Sequence, residues 1–172
     1  EVKALATLRN SFLLPFVGFT TKSPFCIVTK FIPNESLYNA LHSSEPLVKL
    51  TETQLNLIAF GIAVGMQYLH ENKVIHRDLK SQNVLLDDKL FPVICDFGSS
   101  KNIDILQSTM TGQAGTPQYM APEFLQSEKY DEKVDVYSFG ILLWEMVTKQ
   151  SPFNGLAWAQ VMCIVVVKQQ RP

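Results

Sequence analysis

From Thr51 to Asn72 the chain is committed to one long helix. Thr51 and Gln54 stand at capping-box spacing, and Leu55, Ile58, Ile62, Met66 and Leu69 recur after them at helical intervals. Such a helix runs for about five turns, roughly the width of a small domain, so the remaining elements have to be laid against it. Two short apolar runs follow, VLL at 84–86 and PVIC at 92–95, on either side of the turn-forming Asp87 and Asp88, and they predict a small hairpin. Farther on, the stretch 132–149 is apolar on nearly every side and predicts a buried central helix. A last helix is expected around 157–168.

Upstream, Val2, Leu5 and Leu8 keep helical spacing, Pro15 interrupts, and 16–19 reads as a short strand. A second strand is expected over 25–32, FCIVTKFI, which is β-branched and aromatic until Pro33 and Asn34 stop it. The stretch 99–118 is rich in Ser, Thr, Gly and Gln, and no internal repeat or low-complexity tract is visible.

At 172 residues, 47% of them hydrophobic, the chain has the material for one domain with a packed core. Fifteen Lys and Arg against sixteen Asp and Glu supply neither a basic face for nucleic acid nor an acidic solvating tail. Cys26, Cys95 and Cys163 are far apart and form no ligand cluster with the three histidines. That pattern argues against a zinc site and for a reduced intracellular compartment, the cytoplasm being the simplest. No apolar run approaches the roughly 20 residues of a membrane span, and the first residues are too charged for a signal peptide.

The polar residues concentrate in three motifs. HRDLKSQN, 76–83, leaves the long helix and leads directly into the VLL strand; DFG, 96–98, follows the second hairpin strand; APE, 121–123, follows GTPQYM. Taken singly, Asp78, Asn83 and Asp96 each suit a turn or a cap as well as a site. Their joint order and spacing resemble the signature of the eukaryotic protein kinase catalytic domain.

That resemblance implies an α+β fold: a remnant of a small N-lobe over 1–29, a hinge at 30–33, and a mainly helical C-lobe over 34–172. The C-lobe would carry a catalytic loop at 76–83 and an activation segment at 96–123. It also implies transfer of the γ-phosphoryl group of ATP, with Mg²⁺, to protein hydroxyls. Such chemistry asks the protein to position reactants and neutralise phosphate charge. Asn83 and Asp96, thirteen residues apart at the two ends of the hairpin, offer hard oxygens for the metal. Asp78 would accept the proton of the incoming hydroxyl. Lys80 would set a positive charge beside the transferring group, and Thr116 resembles the threonine that hydrogen-bonds this Asp and Lys. Lys80 and Thr116 together point to serine and threonine acceptors, because tyrosine kinases place other residues at both positions.

Within the superfamily, EVKALATLR with FVGF, IVTKF, HRDLKSQNVLLD and DVYSFGILLWEM resemble the tyrosine-kinase-like group, specifically Raf-like and mixed-lineage serine/threonine kinases. By position, Thr29 resembles the gatekeeper, Lys30 to Ile32 the segment that meets adenine, and Leu85 the apolar floor beneath it. His76 and Phe97, with Leu5 and Phe16, resemble the hydrophobic stack between the lobes. Asp135, charged in an apolar helix, needs a buried partner, and by resemblance anchors the backbone at His76 and Arg77. Arg77 resembles the arginine that clamps a phosphorylated activation segment. Ser108, Thr109 or Thr111 would receive that phosphate from an upstream kinase; a merely polar loop fits the composition equally well. Cys95, beside Asp96, is expected to be a buried, inert thiol.

The pattern is incomplete. None of the eight glycines forms GxGxxG and no VAIK-like lysine stands in this stretch, so the phosphate-covering loop and its lysine are expected to be missing from it, and Glu1 matches the helix glutamate that pairs with that lysine. Arg171 and Pro172 resemble the RP after the penultimate helices and not the later arginine that pairs with the APE glutamate, so Glu123 is expected to lack its partner. Asn10 stands where the family commonly has histidine. The expectation is a fragment that begins and ends inside the domain, is weakly stable and nearly inactive alone, and exposes apolar surface near 161–167, with an active parent. The competing reading is a pseudokinase-like docking module that needs no nucleotide roof. A dual-specificity or tyrosine kinase is disfavoured by Lys80 and Thr116.

Overall fold

The computed structural model describes residues 8–97, 100–102 and 115–172. Glu1, Leu5, Ser108, Thr109 and Thr111, with the helix expected around 1–8 and Gly98 of the DFG motif, lie outside them, apart from Leu8.

The chain enters as an antiparallel ribbon of β1 (Phe16–Phe19) and β2 (Ile27–Thr29), with Phe16 opposite Thr29, Gly18 opposite Val28 and Phe19 opposite Ile27. The second strand is shorter than the expected 25–32. At one end Lys30 N–H donates to the Pro15 carbonyl at 2.9 Å, and proline has no N–H to extend the ladder. At the other, the Thr20 hydroxyl accepts from Cys26 N–H at 2.8 Å and takes the place of a backbone partner.

A helix not evident from the sequence follows, α1 (Leu37–His42), capped by Ser36, whose side chain accepts from Asn39 N–H. It is too short for a clear helical period, and burial of Leu37 accounts for its position. The long helix α2 (Glu52–Glu71) carries the complete capping box: Thr51 Oγ1 accepts from Gln54 N–H at 3.3 Å, and Gln54 Oε1 accepts from Thr51 N–H at 2.8 Å. Its buried face is Ile58, Gly61, Ile62, Gly65, Met66 and Leu69.

After α2 come β3 (Val74–Ile75), a 3₁₀ turn (Ser81–Asn83), and the hairpin β4 (Val84–Leu86) with β5 (Pro92–Ile94); β3 pairs with β6 (Lys101–Asn102). The glycines of α2 let this hairpin pack close. A Cβ at Gly61 would sit 2.6 Å from Pro92 Cγ, and one at Gly65 2.8 Å from Ile94 Cδ1. A parallel bridge between Leu13 and Ile94 fastens the segment before β1 to the same hairpin.

The rest is helical: α3 (Pro122–Leu125), α4 (Lys133–Thr148) and α5 (Trp158–Met162), the last continuing as a π turn (Cys163–Val167). α4 supplies Leu142 and Met146 to one core, with α2 and the hairpin, and Val134 to a second, with Ile75, Met120, Phe124, Val161 and Val165. It is the shared pillar of two cores. The expectation of exposed apolar surface at 161–167 holds in part: Val167 and Cys163 are exposed and Ile164 and Val166 half-buried, whereas Val161 and Val165 are buried in the second core. Among the described residues no helix is long and apolar enough to cross a membrane.

Candidate active site

The turn between β3 and β4 is forced into an uncommon shape. Arg77 has φ 68°, a left-handed conformation that L residues adopt only when their surroundings impose it. Here the constraint is Asp135 on α4, 1% exposed. Its Oδ1 accepts from Arg77 N–H at 2.8 Å, and its Oδ2 accepts from His76 N–H at 2.8 Å and meets His70 Nε2 at 2.9 Å. A carboxylate with three donors at hydrogen-bonding distance can remain buried. The His76 ring is fully buried, 3.0 Å through Nε2 from the Cys95 carbonyl, with its centroid 5.4 Å from that of Phe97. Phe16 packs, half-buried, against the same core as Phe97.

Held at that turn, Asp78 is the centre of a polar group. Its Oδ2 accepts from Lys80 Nζ at 2.8 Å and from Asn83 Nδ2 at 3.0 Å, while its Oδ1 accepts from Thr116 N–H at 3.0 Å. Lys80 Nζ also donates to Thr116 Oγ1 at 2.7 Å, and Asn83 Nδ2 to the Asp78 carbonyl at 2.8 Å. Asp78, Lys80, Asn83 and Thr116 are therefore one connected cluster, although Thr116 lies 36 residues after Lys80.

Asp96 is brought to this side by the hairpin. Cys95 N–H donates to the Asn83 carbonyl at 2.9 Å, so the residue after Cys95 stands just past the base of β4 and β5. Asp96 has φ 61°. Because Asn83 commits its amide nitrogen to Asp78, its Oδ1 remains without a hydrogen bond from the described residues. An amide oxygen and a carboxylate are hard donors suited to Mg²⁺, which takes one or two protein ligands and completes its shell with phosphate and water. No group of three or more His, Cys, Asp or Glu that could hold a metal is found among the described residues.

The remaining sequence candidates sit farther along. Thr29 is half-buried opposite Phe16, Lys30 is exposed, and Ile32 is 8% exposed. Ser36 bridges Leu85 of β4, drawing the segment after 30–33 against the hairpin. Arg77 Nη1 donates to Tyr130 OH at 3.2 Å. Glu123 joins no ion pair among the described residues. Cys95 is half-buried, and its thiol is pushed up to about 11, first by burial and then by the Asp96 carboxylate, with Lys80 acting the other way.

Sequence reasoning missed three contributors. Gly115, φ 127°, passes so close to the turn that a Cβ would sit 2.7 Å from Met120 Cε and 3.2 Å from the Arg77 carbonyl. His70 meets Asp135 across two helices. Glu145, charged in the same apolar helix as Asp135, is fully buried and was legible by the same logic that singled out Asp135.

A model of the protein kinase domain matches residues 1–170. A probable serine/threonine-protein kinase of Dictyostelium discoideum is 43% identical over 173 residues, covering all of this chain and 19% of that protein. The serine/threonine-protein kinase CTR1 of Arabidopsis thaliana is 41% identical, covering 99% of this chain and 21% of its own length. The mitogen-activated protein kinase kinase kinase dlk-1 of Caenorhabditis briggsae is 43% identical over 158 residues, 91% of this chain and 18% of that protein. The chain thus spans about a fifth of the length of these relatives. Their names agree with the tyrosine-kinase-like resemblance read from the motifs. Matched by the family model over nearly its whole length, this chain belongs to the protein kinase domain family.

Proposed function

We propose that the protein is a serine/threonine kinase that transfers the γ-phosphoryl group of ATP to hydroxyls of protein substrates. Members of this family use ATP with Mg²⁺ in general. The observation that carries the reading is the Asp78 carboxylate, held at Oδ2 by Lys80 and Asn83 and at Oδ1 by the Thr116 amide.

In this proposal Asp78 orients an incoming hydroxyl and accepts its proton. Lys80 shares its charge between Asp78 and the transferring group, and its bond to Thr116 holds the substrate-side segment at the same centre. Asn83 Oδ1 and the Asp96 carboxylate would hold Mg²⁺, which when bound neutralises charge on the phosphate oxygens. Thr29, Lys30, Ile32 and Leu85 would line the adenine side. The proposed division is an N-lobe portion at 1–29, a hinge at 30–33 and a C-lobe at 34–172. The acceptor is a protein Ser or Thr. An upstream kinase acting on Ser108, Thr109 or Thr111 and a cytoplasmic location complete the reading.

The test is Asp78→Asn in the full-length protein, with ATP labelled at the γ-phosphate. The amide preserves shape and removes the base, and transfer is expected to fall by roughly 10²–10⁴-fold. Product hydrolysis should release phosphoserine and phosphothreonine. Undiminished transfer by the variant, or phosphotyrosine as the main product, would count against the proposal.

A further inference from the structure

Arg77 is gripped at both ends by α4 and the approach to it. Its backbone N–H donates to Asp135 Oδ1 at 2.8 Å, and its Nη1 donates to the hydroxyl of Tyr130 at 3.2 Å, five residues before Asp135. The first contact fixes where the side chain starts, and the second where the guanidinium ends. Arg77 is 8% exposed and directly precedes Asp78, so whatever meets its guanidinium acts one residue from the centre of the polar cluster.

Tyr130 is placed for more than a cap. Its ring is half-buried against the second core, edge-on to Phe124 with centroids 4.8 Å apart and planes at 66°. Because its hydroxyl oxygen accepts from Arg77, the hydroxyl hydrogen is left to donate, and among the described residues no acceptor meets it. A held O–H donor and a held guanidinium therefore stand side by side. One anion with several oxygens can meet both, and the planar guanidinium fork suits phosphate geometry. The neighbouring Asp131 does not fill that role, since its Oδ1 accepts from Lys133 N–H at 2.9 Å, toward the start of α4. Chain on both sides of the Ser- and Thr-rich stretch is fastened near Arg77: β6 pairs with β3, which ends two residues before it, and Thr116 N–H donates to Asp78. A phosphate carried between those two anchors reaches Arg77 at high effective concentration.

We propose that Tyr130 is a phosphate ligand: its hydroxyl donates to a phosphate group that pairs with the Arg77 guanidinium, and the two side chains form one seat beside the turn that carries Asp78. The phosphate is either borne on a Ser or Thr of this chain or free in solution, and both present the same oxygens. The kinase reading above is needed for the chain-borne source and not for the seat itself. A tyrosine that only capped Arg77 would contribute stability and leave the response to phosphate unchanged.

The experiment uses the full-length protein and Tyr130→Phe, which keeps the ring and removes the hydroxyl. In the first arm both are dephosphorylated, and inorganic phosphate is titrated at constant ionic strength. Melting temperature and the resonances of isotope-labelled Arg77 and Tyr130 side chains are followed. Phosphate should raise the melting temperature saturably and move both resonances together. Tyr130→Phe should need roughly 10- to 100-fold more phosphate for the same effect, as expected when a hydrogen bond to a charged group is removed. In the second arm the chain-borne phosphate is kept, and a phosphatase should release it roughly 10- to 100-fold faster from Tyr130→Phe. A difference in the first arm alone assigns the seat to free phosphate, and one in the second alone to the chain's own. Equal phosphate dependence in both arms, with Tyr130→Phe merely melting lower, overturns the proposal. If Tyr130→Phe does not fold, the unaltered protein decides, and phosphate that leaves the Tyr130 resonance unmoved overturns it. If the parent transfers nothing from ATP yet inorganic phosphate fills the seat through Tyr130, the proposal stands and the kinase reading falls.

Discussion

The Cys95 thiol touches two roles at once, since it neighbours Asp96 and its Sγ lies 3.4 Å from the Asn83 carbonyl. With the folded value raised to about 11 from 9.0, the neutral thiol is the species present near neutrality. Its contribution to stability is fully present below about pH 9 and is lost as pH rises through about 11. At pH 8, iodoacetamide should modify the exposed Cys26 and Cys163 and spare Cys95 until denaturant is added. Equal labelling of the three in the folded protein would contradict this. Asp135 makes a sharper case: in Asp135→Asn the amide nitrogen must face one of the donors at His70, His76 or Arg77. A loss of about 1–3 kcal/mol is expected from the urea midpoint, together with lower kcat as the turn at Arg77 relaxes. That Asp135 needed a partner was legible from its apolar neighbours. The resemblance named the backbone at His76 and Arg77 as its partner; His70 was not legible, because it reaches Asp135 from another helix.

At the scale of elements, α4 works by placing polar groups on one face of an apolar helix. Asp135 holds the turn at 76–77, Ser138 the carbonyl of Tyr119, and Glu145 both Ser81 and Tyr119. α2 works by omission, since Gly61 and Gly65 let Pro92, Ile94 and Phe12 close on its backbone. Gly65→Ala would bring a methyl to 2.8 Å from Ile94 Cδ1 and 3.1 Å from Phe12 Cβ. Overpacking of about 1–3 kcal/mol then exceeds the roughly 1 kcal/mol of helix propensity gained. Gly140→Ala on α4 meets nothing within 4 Å and should stabilise by about 0.5–1 kcal/mol. Denaturant midpoints moving in the same direction for both would show that close packing is not what distinguishes these glycines. The long helix and the hairpin were readable from period and turn residues, whereas α1 was not, since six residues hold too little pattern.

For the whole molecule, the two cores share α4, and that joins the stability of the site to that of regions far from it. Leu142→Ala in the first core is expected to cost about 2–5 kcal/mol and Phe124→Ala in the second about 3–5 kcal/mol. Both should quicken hydrogen exchange along the whole of α4. Two separate opening events, each confined to one core, would show that the pillar does not couple them.

The amino-acid sequence alone determined the chemistry and the order of the parts: a capped helix, a polar loop carrying Asp78 and Asn83, a hairpin ending at Asp96, and an apolar helix bearing a charge. Those features are local, governed by helical period, caps, turns and motif spacing, each settled within a few residues. Only the tertiary structure decided that His70 would meet Asp135, that Glu145 would gather His42, Ser81 and Tyr119, and that Val161 and Val165 would be covered. Those contacts join residues separated by tens of positions, and the packing of α4 between two cores selects them.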